Sequence, residues 1–181
     1  FILDSLLGRA QEFLWKVENE KALQEIERAE ATAREWFGED SREWARCACA
    51  RGMLLGNGRK FREAEGMLKT ALPKVKSGYG PESAPYAFCL FSLGDAQLRM
   101  RKMAGVEQRL REAENILLGL GDTTSYLFVE LQESLAIYYN ITGQYERSEP
   151  LFLKVLELSK KVYGENSLSY GEALANLGIL Y

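Results

Sequence analysis

The chain has 181 residues, 46% apolar and 27% charged, which is enough material for a packed core and unlike the composition of a disordered polymer. A formal net charge of −3 excludes the basic excess of a dedicated nucleic-acid binder, and no apolar run reaches the length of a membrane-spanning helix. Three cysteines without framework spacing and no histidine point to a reducing, cytoplasmic setting, and they leave no ligand set for a metal or cofactor.

Apolar residues recur at three- and four-residue spacing along the whole chain and predict paired amphipathic helices. In chain order these are 1–17 and 19–37, 41–58 and 61–79, 83–101 and 104–120, then 123–142 and 145–163, with a last helix at 167–181. In the clearest pair, Leu127, Leu131, Leu135 and Tyr138 line the first helix. Gly143-Gln144 breaks it, and Ser148, Phe152, Val155 and Ser159 line the second. Pro150 falls in or just beyond the first turn of that helix, where a missing N–H costs little, and Ser167 is placed to cap the helix after it. Phe1-Ile2-Leu3-Asp4-Ser5 has no basic segment or cleavage site, and the chain does not start with Met. The expectation is a piece of a longer protein.

A period of 42 residues organises the helices. Ala10, Gly52, Gly94, Ala136 and Gly178 form one series at that interval, Ala22, Ala64, Val106 and Ser148 a second, and Ala29, Ala71, Ala113 and Val155 a third. A fourth is Phe37, Tyr79, Gly121 and Tyr163, of which all but Gly121 precede a glycine; Asp122 breaks the pattern. Small residues at a fixed position suit helices that cross closely, so Gly52, Gly94, Ala136 and Gly178 are expected at buried crossings. Cys47 and Cys89 occupy one repeat position, which favours packing over chemistry.

The run Tyr145, Ser148-Glu149-Pro150-Leu151-Phe152, Val155-Leu156-Glu157-Leu158, Val162-Tyr163-Gly164-Glu165 and Leu174-Ala175-Asn176-Leu177-Gly178 resembles a tetratricopeptide repeat of the 42-residue kinesin-light-chain-like variety. HEAT and armadillo units of similar length lack this pattern. Arg9 and Arg51 depart from it, standing where the family has a buried leucine, as at Leu93. The resemblance implies an all-α fold: a right-handed α-α superhelix, one solenoid over 1–181, with repeats at about 1–40, 41–82, 83–122 and 123–166 and a partial one at 167–181.

It also implies a concave groove lined by the first helix of each repeat. The groove-facing positions are Arg46, Cys49 and Met53, then Phe88, Phe91, Asp95 and Arg99, then Glu130, Glu133, Ile137 and Asn140, and finally Glu172 and Asn176. Phe88 and Phe91 share a helix face and either anchor a partner or pack on a neighbouring helix. Ala50, Ser92 and Ser134 stand where the family's carboxylate clamp has Asn or Arg, so that clamp is not expected.

Charge offers a second surface. Residues 41–76 hold nine Lys/Arg against three Asp/Glu, and Arg59-Lys60 and Arg101-Lys102 lie one period apart at inter-helix turns, with Arg62 beside them. They form a basic edge strip that either meets an acidic partner or is simply solvated. The function expected is non-catalytic binding of a protein or peptide partner in the groove. An alternative is a sensor or regulatory unit of a larger switch ATPase or protease. An unfinished last repeat, with Leu174, Leu177 and Leu180, is expected to self-associate or continue in the parent chain.

Overall fold

A computed structural model describes residues 2–180, and the side chains of all of these except 168, 179 and 180. It forms two compact units, residues 1–102 and 103–181.

The first unit holds α1 (Ile2–Trp15), α2 (Asn19–Phe37), α3 (Arg42–Asn57), α4 (Phe61–Tyr79) and α5 (Ala84–Arg99). In α1 the buried residues are Leu3, Leu6, Leu7, Ala10 and Leu14, and in α2 they include Ala22, Ile26, Ala29 and Ala33. Both sets recur every three or four residues, so each helix turns one apolar stripe inward. Cys47 and Ala50 of α3 complete that core. Ser41 and Ser83 cap α3 and α5 by accepting the N–H of Trp44 and Tyr86. Gly38 and Gly80 end α2 and α4 at φ +83° and +93°, a conformation that favours glycine.

Gly52 sits where α3 crosses α4. A Cβ there would lie 2.6 Å from Leu68 Cγ, and Leu68 is fully buried. The small-residue series therefore marks a backbone approach at this position, as the sequence led us to expect. Gly78 repeats the device at the other end of the same pair, where a Cβ would meet Arg42 Cβ at 2.4 Å and Arg42 donates to the Gly78 carbonyl at 2.7 Å.

The turns within repeats share one geometry. The N–H groups of Glu18, Lys60 and Lys102 reach back to the carbonyls of Phe13, Leu55 and Gln97 at 2.9, 2.8 and 3.0 Å. The residue before each, Val17, Arg59 or Arg101, is held at φ 57°, 61° or 59°. In the second unit Gly143 takes that place at φ 74°. Three of four repeats thus put a side chain into a left-handed conformation that glycine adopts freely.

The second unit holds α6 (Val106–Gly119), α7 (Tyr126–Ile141), α8 (Tyr145–Tyr163) and α9 (Leu168–Leu180). Ala136 is fully buried, and Ser148 donates to its carbonyl at 2.8 Å, a close contact of α7 with α8. Val129, Val155 and Ala173 bring α7, α8 and α9 into one core. Pro150 lies just beyond the first turn of α8. Tyr139 is buried between α6 and α8, with its hydroxyl donating to Glu107 and accepting from Arg111 and Arg147.

Several expectations need correction. Gly178 is exposed, with nothing within 4 Å of a Cβ built on it, because among the described residues no helix crosses α9 there. The helices α6 and α7 are shorter than expected. Gly121 stands at φ 73°, the Asp122 N–H closes on the Leu117 carbonyl at 2.8 Å, and the Asp122 carboxylate accepts from the Ser125 N–H at 3.0 Å. Asp122, which interrupts the glycine pattern, is thus part of a different turn. Leu177 is half-buried and Leu174 exposed, while the side chain of Leu180 and residues 1 and 181 lie outside the described residues.

Candidate interaction faces

In the first unit the expected groove positions divide into buried and accessible ones. Phe88 and Phe91 are each 4% exposed and pack against Trp15, at ring-centroid distances of 6.2 and 6.1 Å. Trp15 closes α1 and reaches α5, so the two phenylalanines are packing residues and offer no open ring. Cys49 is also buried, and burial together with a hydrogen bond to Cys89 pushes its thiol well above the usual range. Burial likewise raises Cys47, to about 12. All three cysteines are free and buried.

The accessible groove residues of this unit are held in place by neighbours. Arg46 donates to Asp4 at 2.5 Å, and its guanidinium lies 5.8 Å over the Tyr79 ring. That hydrogen bond holds the Asp4 carboxyl below its ordinary range. Asp4 and Arg46 stand at one repeat position on α1 and α3, so adjacent first helices are bridged across this face. Met53 is half-buried and packs on the first core.

Asp95 accepts from Arg99 at 3.2 Å, and both line a pocket of about 430 Å³ with Gly56, Asn57, Arg59 and Phe61. The fold therefore brings together residues that the sequence assigned to two surfaces: Arg59 of the basic edge, and Asp95 and Arg99 of the groove.

On the edge, Arg59, Lys60, Arg62, Arg101 and Lys102 are all exposed. Lys102 also donates to Glu65 at 2.5 Å. Glu65 is buried and accepts from Gln97 at 3.0 Å, and with Lys69 these donors hold its carboxyl down at about 2. Lys102 is thus a structural ion-pair partner as well as a member of the strip. The amide oxygen of Gln97 is left without a hydrogen bond.

In the second unit the face of α7 and α9 is acidic and polar. Glu130 accepts from the Tyr163 hydroxyl at 2.9 Å, and Tyr163 packs on Tyr126 with ring centroids 5.1 Å apart. Burial raises the Tyr163 hydroxyl above its ordinary range. Glu133 accepts from Asn176 at 2.7 Å, a second bridge between first helices one period apart. Ile137 and Asn140 are half-buried and Glu172 is exposed. Among the described residues no helix is long and apolar enough to cross a membrane.

Helices recurring at a 42-residue period define an all-α helical-repeat fold. Residues 128–181 match the tetratricopeptide repeat family model. The fold is similar to the crystal structure of BtubC (BKLC) from P. vanneervenii, at 17% identity and a TM-score of 0.70, covering 98% of this chain and 71% of that one. It is also similar to a Podosopora anserina protein described as a kinesin light chain with nearly identical TPR-like repeats, at 14% identity and a TM-score of 0.64, covering 99% and 85%. No curated protein sequence matches the chain. The chain thus has an all-α helical-repeat fold similar to that of kinesin-light-chain-like repeats, and its residues 128–181 match the tetratricopeptide repeat model.

Proposed function

We propose that this chain is a non-catalytic protein-interaction module whose partner docks as an extended segment on the faces of the first helices. The pocket at Asp95, Arg99 and Arg59 carries this reading. It is open, polar and built from the ends of α3 and α5, and the chemistry it offers is recognition of polar side chains. The bridges Asp4–Arg46 and Glu133–Asn176 support it, because they hold charged side chains in position before any partner arrives. The tetratricopeptide fold supports a protein as the ligand. Trp15 over Phe88 and Phe91 shifts the expected anchor from the aromatic pair to the polar residues beside it.

The test is a pull-down with the intact protein, followed by identification of the bound chains and affinity measurement with variants. Arg59→Glu with Arg99→Glu is expected to weaken binding by about tenfold or more, since reversed charge at a contact costs affinity directly. Lys60→Glu with Arg101→Glu is expected to leave it nearly unchanged. The opposite pattern moves the contact to the edge strip and overturns the reading.

A further inference from the structure

Away from the first-helix faces, a cleft of about 470 Å³ opens between α2 and α4 above α3. Its lining includes Glu30, Trp44, Ala48, Glu63, Gly66 and Thr70. A Cβ on Gly66 would meet nothing within 4 Å, so its wall is open. The second unit has the same positions two periods on, and there they are filled. Phe128, Gln132, Lys154 and Glu114 stand where Trp44, Ala48, Thr70 and Glu30 stand here. Lys154 donates to the Gln132 amide oxygen at 3.0 Å and its ammonium lies 4.8 Å over the Phe128 ring. Gln132 in turn donates to Glu114 at 2.7 Å.

The protein therefore contains a worked example of what this geometry holds: an ammonium over an aromatic face, with a carboxylate behind it. In the first unit Ala48 and Thr70 are too short to supply the amide and the ammonium, and Thr70 bonds back to the Gly66 carbonyl at 3.2 Å. The aromatic ring remains, with space beside it, and the Glu30 carboxylate behind it is held by Arg51 as Glu114 is held by Arg111. Among the charged side chains lining the cleft, Glu30 pairs with Arg51, Glu39 with Arg34 at 2.8 Å and Lys74 with Asp40 at 2.8 Å, so the exposed Glu63 is the carboxylate offered to an incoming cation. Arg34 already lies 5.1 Å over the Trp44 ring. A second cation on one ring has precedent here, since Arg42 and Arg46 share Tyr79, and Arg111 and Arg147 share Tyr139.

We propose that the cleft between α2 and α4 binds a lysine side chain of a partner protein, its ammonium taking the place that Lys154 fills in the second unit. The surface is separate from the first-helix faces, so the proposal stands or falls independently of the reading above.

The whole chain, labelled with nitrogen-15, is titrated with N-acetyl-lysine methylamide and separately with N-acetyl-norleucine methylamide. The lysine compound is expected to shift the Trp44 indole N–H and the amides of Ala48 and Gly66 saturably, and the norleucine compound to leave them in place. Filling the cleft should weaken the lysine compound by about tenfold or more, as expected for a lost cation–π and carboxylate contact. Ala48→Gln with Thr70→Lys recreates the second unit's arrangement, and Ala48→Leu recreates Leu90 of the third repeat. Glu63→Gln, on an exposed side chain, should weaken binding severalfold without changing the melting temperature. Equal shifts with the norleucine compound, or undiminished binding in folded cleft-filled variants and in Glu63→Gln, overturn the proposal. So does movement of the same resonances on raising protein concentration alone, which would assign the cleft to a second copy of the chain.

Discussion

Arg51 of α3 and Glu30 of α2 meet as a two-pronged pair, Nε to one carboxylate oxygen at 2.6 Å and NH2 to the other at 2.5 Å. Both side chains are largely withdrawn from water, 25% and 17% exposed. This answers the departure at the leucine position: each arginine meets a counter-ion on α2, which precedes Arg51's helix and follows that of Arg9, where Glu25 accepts at 2.7 Å. Arg51→Leu alone leaves Glu30 unpaired and is expected to cost about 1–3 kcal/mol of stability. Arg51→Leu with Glu30→Leu recreates Leu93 and Leu72 of the next repeat and should recover most of it. Chemical denaturation of the two variants and the parent checks both parts.

Val17 is the least suited occupant of the left-handed turn position, being β-branched and 60% exposed at φ 57°. Val17→Gly relieves the strain and removes no core contact, so it should raise stability by about 0.5–1 kcal/mol despite glycine's freer unfolded state. Gly143→Val, the reverse change at the fourth turn, should lower it. Paired melting curves that move in the same direction would contradict the strain argument.

At Gly52 the first methyl group is expected to be harmful. Gly52→Ala gains helix propensity but drives Cβ onto Leu68, with an expected net loss of about 1–3 kcal/mol. Adding Leu68→Ile recreates Ala10 and Ile26, the residues at those positions one repeat earlier, and should restore part of the loss. A neutral or stabilising Gly52→Ala, read by denaturant midpoint, would show that α3 and α4 are not so close.

Glu65 sets a pH dependence of known sign. Its folded carboxyl, at about 2, is depressed below the ordinary 4.5, chiefly by its hydrogen bonds from Gln97, Lys102 and Lys69. A depressed pKa stabilises the fold above the unfolded value, and that contribution is lost as pH falls from 4.5 toward 2. Glu65→Gln should therefore be less stable than the parent at neutral pH, and the gap should narrow with acid. A gap that stays constant across that window would refute the assignment.

Much of the fold is legible in the sequence because helix periodicity and the repeat interval reinforce each other. The limits of α2, α4 and α8 agree with expectation to the residue, and Ser167 accepts the Tyr170 N–H as its capping position suggested. What was not legible depends on contacts between distant helices. Nothing in the spacing of Phe88 and Phe91 says that Trp15, at the end of α1, covers them. Lys102 reads as a solvated turn until Glu65 is placed beneath it. The positive φ at Val17 had a signal in the sequence, since Gly143 holds the same position, but a valine there reads as helix. The cleft over Ala48 emerges only when Gln132 and Lys154 are seen filling its counterpart.

The most direct test of the interaction account is site-specific photo-crosslinking of the intact protein in its native cell. A benzophenone side chain replaces Met53, Ile137 or Asn140 on the first-helix faces, or Leu153, exposed on α8, as the comparison. The account expects a partner chain to be captured from Met53 and from at least one of Ile137 and Asn140, and not from Leu153. Capture from Leu153 with none from the three first-helix positions would contradict it and move the binding surface to the second helices.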